Sequence, residues 1–234
     1  MKPRTHLHVG LAFLSSLVCV SGIAQNATEA EIVEEPSHRL LLQNRWARAF
    51  YEELAPGAAT LVHRHRHDYV SVTLGAAEIT NEVVGKTADH RKLQDGETVF
   101  VEGGFAHQVR NLASAPFRSV IVELLQDVKT QKSQPPTWDE NRGLQVLEGG
   151  TQDILFVKDG VRVSEVALQA GGMLPGDKKA TPRLLVAVSG VDLRGHGSGT
   201  NVHLKPGQVS WMADAPALMN VEKGRCRLIM LEFR

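Results

Sequence analysis

Four short segments recur twice, in the same order, along this chain of 234 residues. Leu54-Ala55-Pro56-Gly57 resembles Leu168-Gln169-Ala170-Gly171, and Val70 to Gly75 resembles Leu185 to Gly190. Leu93-Gln94-Asp95-Gly96 is followed by its counterpart Leu204-Lys205-Pro206-Gly207, and Val120-Ile121-Val122-Glu123 by Ile229-Met230-Leu231-Glu232. Each match is weak alone, but four in register make duplication of one folding unit the better explanation. The halves are separated by a polar stretch, Asp127 to Arg142, whose Gln131-Lys132-Ser133-Gln134-Pro135-Pro136 reads as a linker. The resulting division is a leader over 1–24, a flexible lead-in over 25–38, a first domain over 39–127, a linker over 128–142 and a second domain over 143–234.

Within each half, short apolar runs alternate with Gly, Pro and Asp. Tyr69–Leu74, Glu97–Val101, Ser119–Leu125, Val161–Leu168, Leu184–Val188 and Leu228–Phe233 are short, rich in Val and bounded by turn residues, which predicts strands. Helical periodicity is absent, apart from a turn or two expected near Ser37–Asn44 and Trp138–Gly143. The chain is therefore expected to be all-β, with two tandem units.

Lys plus Arg equals Asp plus Glu, so no net charge advertises nucleic acid or an anionic membrane as a partner. Lys2 and Arg4 precede an apolar run from Val9 to Val20, and Gly22-Ile23-Ala24 offers a small-x-small cleavage site before Gln25. The run is short for a membrane span. The expectation is an exported protein, periplasmic or extracellular, with no membrane contact after cleavage. Val18 precedes Cys19 where a lipoprotein anchor would want a small residue, so that reading is weaker. Cleavage leaves Cys226 without a disulfide partner, inside an apolar run where it is expected as a small core residue.

The chemical signal is His63-Arg64-His65-Arg66-His67-Asp68-Tyr69. On a strand, His63, His65 and His67 share one face, with rings about 7 Å apart along the backbone. Imidazoles at i and i+2 can converge on one ion, whether Zn, Fe, Ni, Cu or Mn. The competing explanation is a solvated basic edge strand. Further on, Gly103-Gly104-Phe105-Ala106-His107 suits a tight turn that returns a strand carrying a fourth histidine, with Asn111 shortly after. His90 falls in a polar segment and is expected to be exposed.

These residues resemble the two motifs of the cupins, and the chain as a whole resembles a two-domain bicupin behind a signal peptide. Gly57, His63, His65 and Gly75 fit the first motif, and Gly96, Gly104, His107 and Asn111 the second. The resemblance covers most of Arg48 to Gln126. It implies a jelly-roll-like β-barrel with a divalent metal held by His63, His65 and His107 in the barrel mouth. Two departures stand out. Glu102 replaces the proline of the second motif, and the glutamate ligand of the first is missing. Strand parity puts Tyr69 on the ligand face and turns Asp68 away unless a bulge re-aims it. His67, Asp68 and Tyr69 are therefore the candidates for an additional ligand or a supporting contact. A pairing of His65 with His67 in place of His63 with His65 stays open.

The second half lacks this chemistry. Asp177 and Lys179 stand at the places of His63 and His65, and Leu218 at that of His107. His196 and His203 flank an expected exposed hairpin loop, and Trp211 and Met212 are expected to line the interior. Two functions follow. One is a metal-dependent small-molecule enzyme of dioxygenase or isomerase type, with Glu123 and Asn111 as candidate groups behind the ligands. The other is a non-catalytic module binding a metal or small ligand. No general base stands out, and a homodimer is compatible with either.

Overall fold

The computed structural model describes residues 29–125, 143–158, 160–195 and 199–234. The expected leader, the linker and the Trp138 segment up to residue 142 lie outside them. Among the described residues there is no α-helix; a single 3-10 turn spans Ile32–Glu34.

In the first half, one sheet holds β1 (Ala30–Glu31), β4 (His63–His65), β9 (Phe105–Asn111), β6 (Ala77–Val83) and β7 (Asp89–Leu93), in that order. The other holds β2 (His38–Gln43), β3 (Ala47–Leu54), β10 (Phe117–Leu124), β5 (Tyr69–Thr73) and β8 (Thr98–Val101). In the second half, β11 (Gly143–Leu147), β12 (Gly150–Lys158), β13 (Val161–Leu168), β20 (Cys226–Phe233), β15 (Arg183–Ala187) and β18 (Val209–Met212) form one sheet. Its partner sheet is β14 (Met173–Leu174), β19 (Leu218–Asn220), β16 (Val191–Gly195) and β17 (Asn201–Leu204). The order β3-β10-β5-β8 repeats as β13-β20-β15-β18, and β4-β9-β6-β7 as β14-β19-β16-β17. This is the duplicated jelly-roll-like arrangement that the sequence repeat predicts.

The large sheets bury both faces. On β5 and β10, Tyr69, Ser71, Ile121 and Glu123 point into the first barrel, while Val70, Val72, Val120 and Val122 point out. Those outward valines join Val163, Leu184, Val186, Ile229 and Leu231 of the twin in one continuous core. Strand runs that read as almost wholly apolar are thus sheets covered on each side. At the rim of this contact, Arg227 bridges Glu165 of its own half at 2.8 Å and Asp95 of the other at 2.7 Å.

Two local expectations are corrected. The Ser37–Asn44 segment is strand, not helix, because β2 pairs antiparallel with β3 and so satisfies that strand's edge. The lead-in is not flexible from Ala30 to His38. Ala30 and Glu31 pair in parallel with His63 and Arg64, and Ile32 is buried against Phe50, Tyr69 and Ile121. Glu35 fixes the following corner by accepting from the Leu61 N–H at 2.8 Å and the Ser37 hydroxyl at 2.7 Å.

Candidate metal centre

β4 and β9 run antiparallel with His63 opposite His107, and strand alternation places His65 on the same inner face. All three rings are buried, and one nitrogen of each lies within 4.8 Å of the others. The outer nitrogens have oxygen partners that assign the tautomers. His63 Nδ1 donates to the Leu61 carbonyl at 3.0 Å, and His107 Nδ1 donates to Asn81 Oδ1 at 2.7 Å. Both Nε2 atoms therefore carry lone pairs, and they face each other at 3.2 Å. Two opposed lone pairs at that distance repel in the absence of a shared electrophile, so this donor set fits a cation. His65 turns Nδ1 towards Glu123 Oε1 at 3.6 Å, too long for a hydrogen bond.

Burial disfavours the charged form of His63 and His107 and so favours the neutral form that can ligate. It lowers His107 to about 2, helped by the neighbouring His63 and His65. His63 is also lowered, by burial first, against the opposing bond to Leu61. Glu123 is pushed up by burial, but the facing His65 and the Arg48 bond outweigh this and leave its carboxyl lowered, hence ionised. Arg48 holds it from the other side at 2.5 Å. Glu123 thus stands behind His65, in the place from which a carboxylate orients a metal-bound imidazole.

The remaining candidates separate. Asp68 Oδ1 accepts from the Gly103 N–H at 2.8 Å and so ties the turn before β9, away from the cluster. Gly103 is required there, since a Cβ would lie 2.3 Å from the His67 carbonyl oxygen. β4 ends at His65, and His67 lies in the turn that follows, so the ring pair on the strand is His63 with His65. Tyr69 does face inward, stacked on the His65 ring at 4.2 Å. Asn111 is a structural clasp: its Nδ2 donates to the carbonyls of Leu54 at 3.0 Å and Ala115 at 2.8 Å, and its Oδ1 accepts from Ala113 at 2.9 Å. His90 is exposed on β7 and bonded to Glu78 at 2.8 Å.

The cluster opens onto a pocket between the two sheets, of about 760 Å³ with its mouth included. Sequence reading misses four residues that line it. Asn81 orients His107; the His38 ring lies tilted with its centroid 4.9 Å from that of His63; Glu52 is a buried carboxyl; Arg91 stands on β7. None belongs to a motif. Strand parity carries a signal for Glu52, which shares the inner face of β3 with Phe50 and Leu54.

The second barrel shows what the first would be without this site. Asn220 repeats the Asn111 clasp, bonding the carbonyls of Leu168, Gln169 and Gly224 at 3.1, 3.0 and 3.0 Å. That register places Pro216, not Leu218, opposite His107 in the repeat, because each stands four residues before its asparagine. The Arg48–Glu123 pair recurs as Arg162–Glu232 at 2.6 Å. Where Tyr69 pairs with Glu123 across the strands, Arg183 pairs with Glu232, and its guanidinium sits 3.2 Å from that carboxylate. Leu174, Leu185, Leu193, Met212, Leu218 and Met230 fill the interior. Met212 is inside as expected. Trp211 is not: alternation turns it to the other face, against Phe233 in the contact between barrels. His203 is exposed beside Asp192, and His196 lies outside the described residues.

No family model matches the chain, and no curated protein matches it. Solved structures do. A glyoxylate-induced protein from Pseudomonas aeruginosa superposes with a TM-score of 0.61 at 17% identity, over 86% of this chain and 82% of that one. A single-site variant of the oxalate decarboxylase of Bacillus subtilis gives 0.57 at 12% identity, over 81% and 69%. A cupin 2 conserved barrel domain protein from Leptotrichia buccalis gives 0.52 at 10% identity, over 84% and 88%. At these identities the likeness is one of fold.

Proposed function

We propose that this chain, whose two halves share the fold of the cupins, holds one divalent metal ion in its first barrel and presents it to a small molecule in the adjoining pocket. The observation that carries the reading is the pair of buried Nε2 lone pairs turned on each other, each fixed by an oxygen acceptor behind the ring. His63, His65 and His107 would hold the ion. Bound there, it would supply Lewis acidity to an oxygen of the small molecule. The chain's own residues do the rest: Asn81 and Leu61 keep the ligand nitrogens deprotonated, Glu123 faces His65 from behind, and the surrounding sheets bury all three rings. The B. subtilis oxalate decarboxylase among the fold neighbours has Mn(II) centres. For an exported chain Zn or Mn is easier to keep than Fe(II), which oxidises.

Elemental analysis of the purified chain tests the reading. One metal ion per chain is expected, lost in His63→Ala and in His107→Ala and retained in His203→Ala. Equal metal in all four proteins sinks the site. A metal-dependent enzyme of dioxygenase or isomerase type is the reading favoured by the pocket beside the cluster, whose apolar walls carry Glu52, Asn81 and Arg91. Metal-dependent O₂ uptake with phenolic or dicarbonyl compounds tests the dioxygenase form. A non-catalytic binder is the second reading, favoured by Tyr69, a stacked ring on the face where the cupin motif supplies a carboxylate. The composition of residues 1–24 supports export, and a mature N-terminus at Gln25 in a secreted or periplasmic fraction is the corresponding expectation.

A further inference from the structure

Glu52 is 3% exposed and lines the same pocket, yet nothing described so far uses it. Its Oε2 accepts from the Ser119 hydroxyl at 2.7 Å, while its Oε1 is buried with no partner in the protein. A carboxyl oxygen left in that condition is costly unless a proton or a ligand meets it. The neighbours do not supply one. Across β2 stands His38, held neutral at about 2 by burial and by His63 and His65, with Glu35 at the corner before it. Across β10 stands Ser119, with Glu123 further along paired to Arg48. Tyr69 on β5 is kept in its phenol form by burial. The pocket's other titratable or charged groups are the three clustered histidines and Arg91 from the facing sheet, and Glu97 ahead of β8. Burial pushes the Glu52 carboxyl up to about 7; the Ser119 bond opposes this and the charge of Glu35 adds to it.

We propose that Glu52 is the ligand-recognition carboxyl of the pocket, holding a proton on Oε1 and donating it in a hydrogen bond to a carboxylate oxygen of a small organic acid. The inference deepens the small-molecule reading of this pocket by naming the class of molecule. Three groups in the pocket lining can donate: the protonated Glu52 carboxyl, the Tyr69 hydroxyl and the Arg91 guanidinium, whose Nε is held by Asp89 at 2.6 Å; Glu97 is the other carboxyl of the lining. Such a set suits an anion rich in acceptors. A ligand that only donates would need Glu52 ionised, which its burial opposes.

Glycolate and lactate, both ionised throughout the working range, serve as probes in calorimetric titrations of the full chain at about pH 6 and about pH 8.5. Metal content and melting temperature are measured on the same samples. Since only the protonated fraction binds, and that fraction falls to about 3% at the higher pH, wild-type affinity should weaken by about thirtyfold. Glu52→Gln keeps a donor but cannot titrate, so its affinity should be nearly independent of pH. Glu52→Ala should bind at least about tenfold more weakly at the lower pH. The proposal is overturned if Glu52→Ala binds like the wild type, if Glu52→Gln keeps the wild-type pH dependence, or if the wild type binds neither acid. Metal content separates this result from the centre itself: a wild type without metal sinks the His63–His65–His107 reading, whatever the glycolate titrations give.

Discussion

Replacing Asn81 with Leu tests the orientation of the centre without touching a proposed ligand. In the wild type the Asn81 oxygen accepts the Nδ1 proton of His107 at 2.7 Å and so keeps the Nε2 lone pair on the cluster side. Without that acceptor the buried N–H has lost its partner, and the ring has another arrangement. Moving the proton to Nε2 lets His107 donate to His63 Nε2, already 3.2 Å away. The metal-free protein recovers most of the lost bond this way, so its stability should fall by only about 1 kcal/mol, or roughly 2–4 °C in a chain of this size. Metal binding must reverse the tautomer and then hold an unsupported ring. Loss of such a supporting contact costs about 10- to 100-fold in affinity, which is about 1.4 to 2.7 kcal/mol. Competition against a chelating indicator measures this directly. An affinity unchanged by Asn81→Leu, in a protein that melts normally, would refute the argument that Asn81 sets the tautomer.

Other consequences can be measured alongside. Asn111→Ala strips partners from the Leu54 and Ala115 carbonyls and the Ala113 N–H, and Asn220→Ala does the same in the twin; each should cost about 3 kcal/mol by denaturant unfolding, although only one of them lies near the centre. Gly103→Ala sets a Cβ against the His67 carbonyl at 2.3 Å, backbone against backbone, and should cost about 1–3 kcal/mol while loosening metal binding through the turn before β9. In the metal-free protein, His38 and His107 are lowered to about 2 when folded, so the unfolded chain takes up their protons first as pH falls below about 6.5. Stability is therefore lost on acidification, by about 1.4 kcal/mol per pH unit for each histidine. Glu52, raised to about 7, works oppositely between about pH 4.5 and that value, and offsets one of them. The acid slope measured from about pH 6 to about pH 5 should accordingly steepen in Glu52→Gln.

The parts legible in the sequence are those with local or periodic signatures. The duplicated segments are turns and flanking strands whose glycines and valines answer to local geometry; parity puts His63, His65 and His67 on one face, and the resemblance to the cupin motifs singles out His63, His65 and His107. What escapes depends on pairing between distant residues. Asn81, His38 and Glu52 are isolated polar positions on strands, and only the approach of the two sheets makes them neighbours of the cluster. The lead-in reads as flexible because its composition is polar, yet one buried isoleucine and one anchoring glutamate, Ile32 and Glu35, are enough to tie it down. Trp211 goes to the wrong core for a related reason. On a strand with apolar residues on each face, hydrophobicity does not say which face belongs to which core, and the second core exists only because another barrel covers it.

That shared core has a thermodynamic consequence. Val70, Val72, Val120 and Val122 are covered by the twin, so separating the barrels would expose a broad apolar face on each. The two halves should then melt as one cooperative unit, and a ligand that stabilises only the first must raise the unfolding temperature of both. Trp211, on a strand of the histidine-poor half and tilted against Phe233 at 5.3 Å, becomes an optical reporter of that shared transition. The histidine-poor half is an energetic partner to the other: its Val163, Leu184, Val186, Ile229 and Leu231 cover the outer face of the sheet whose inner face lines the cluster.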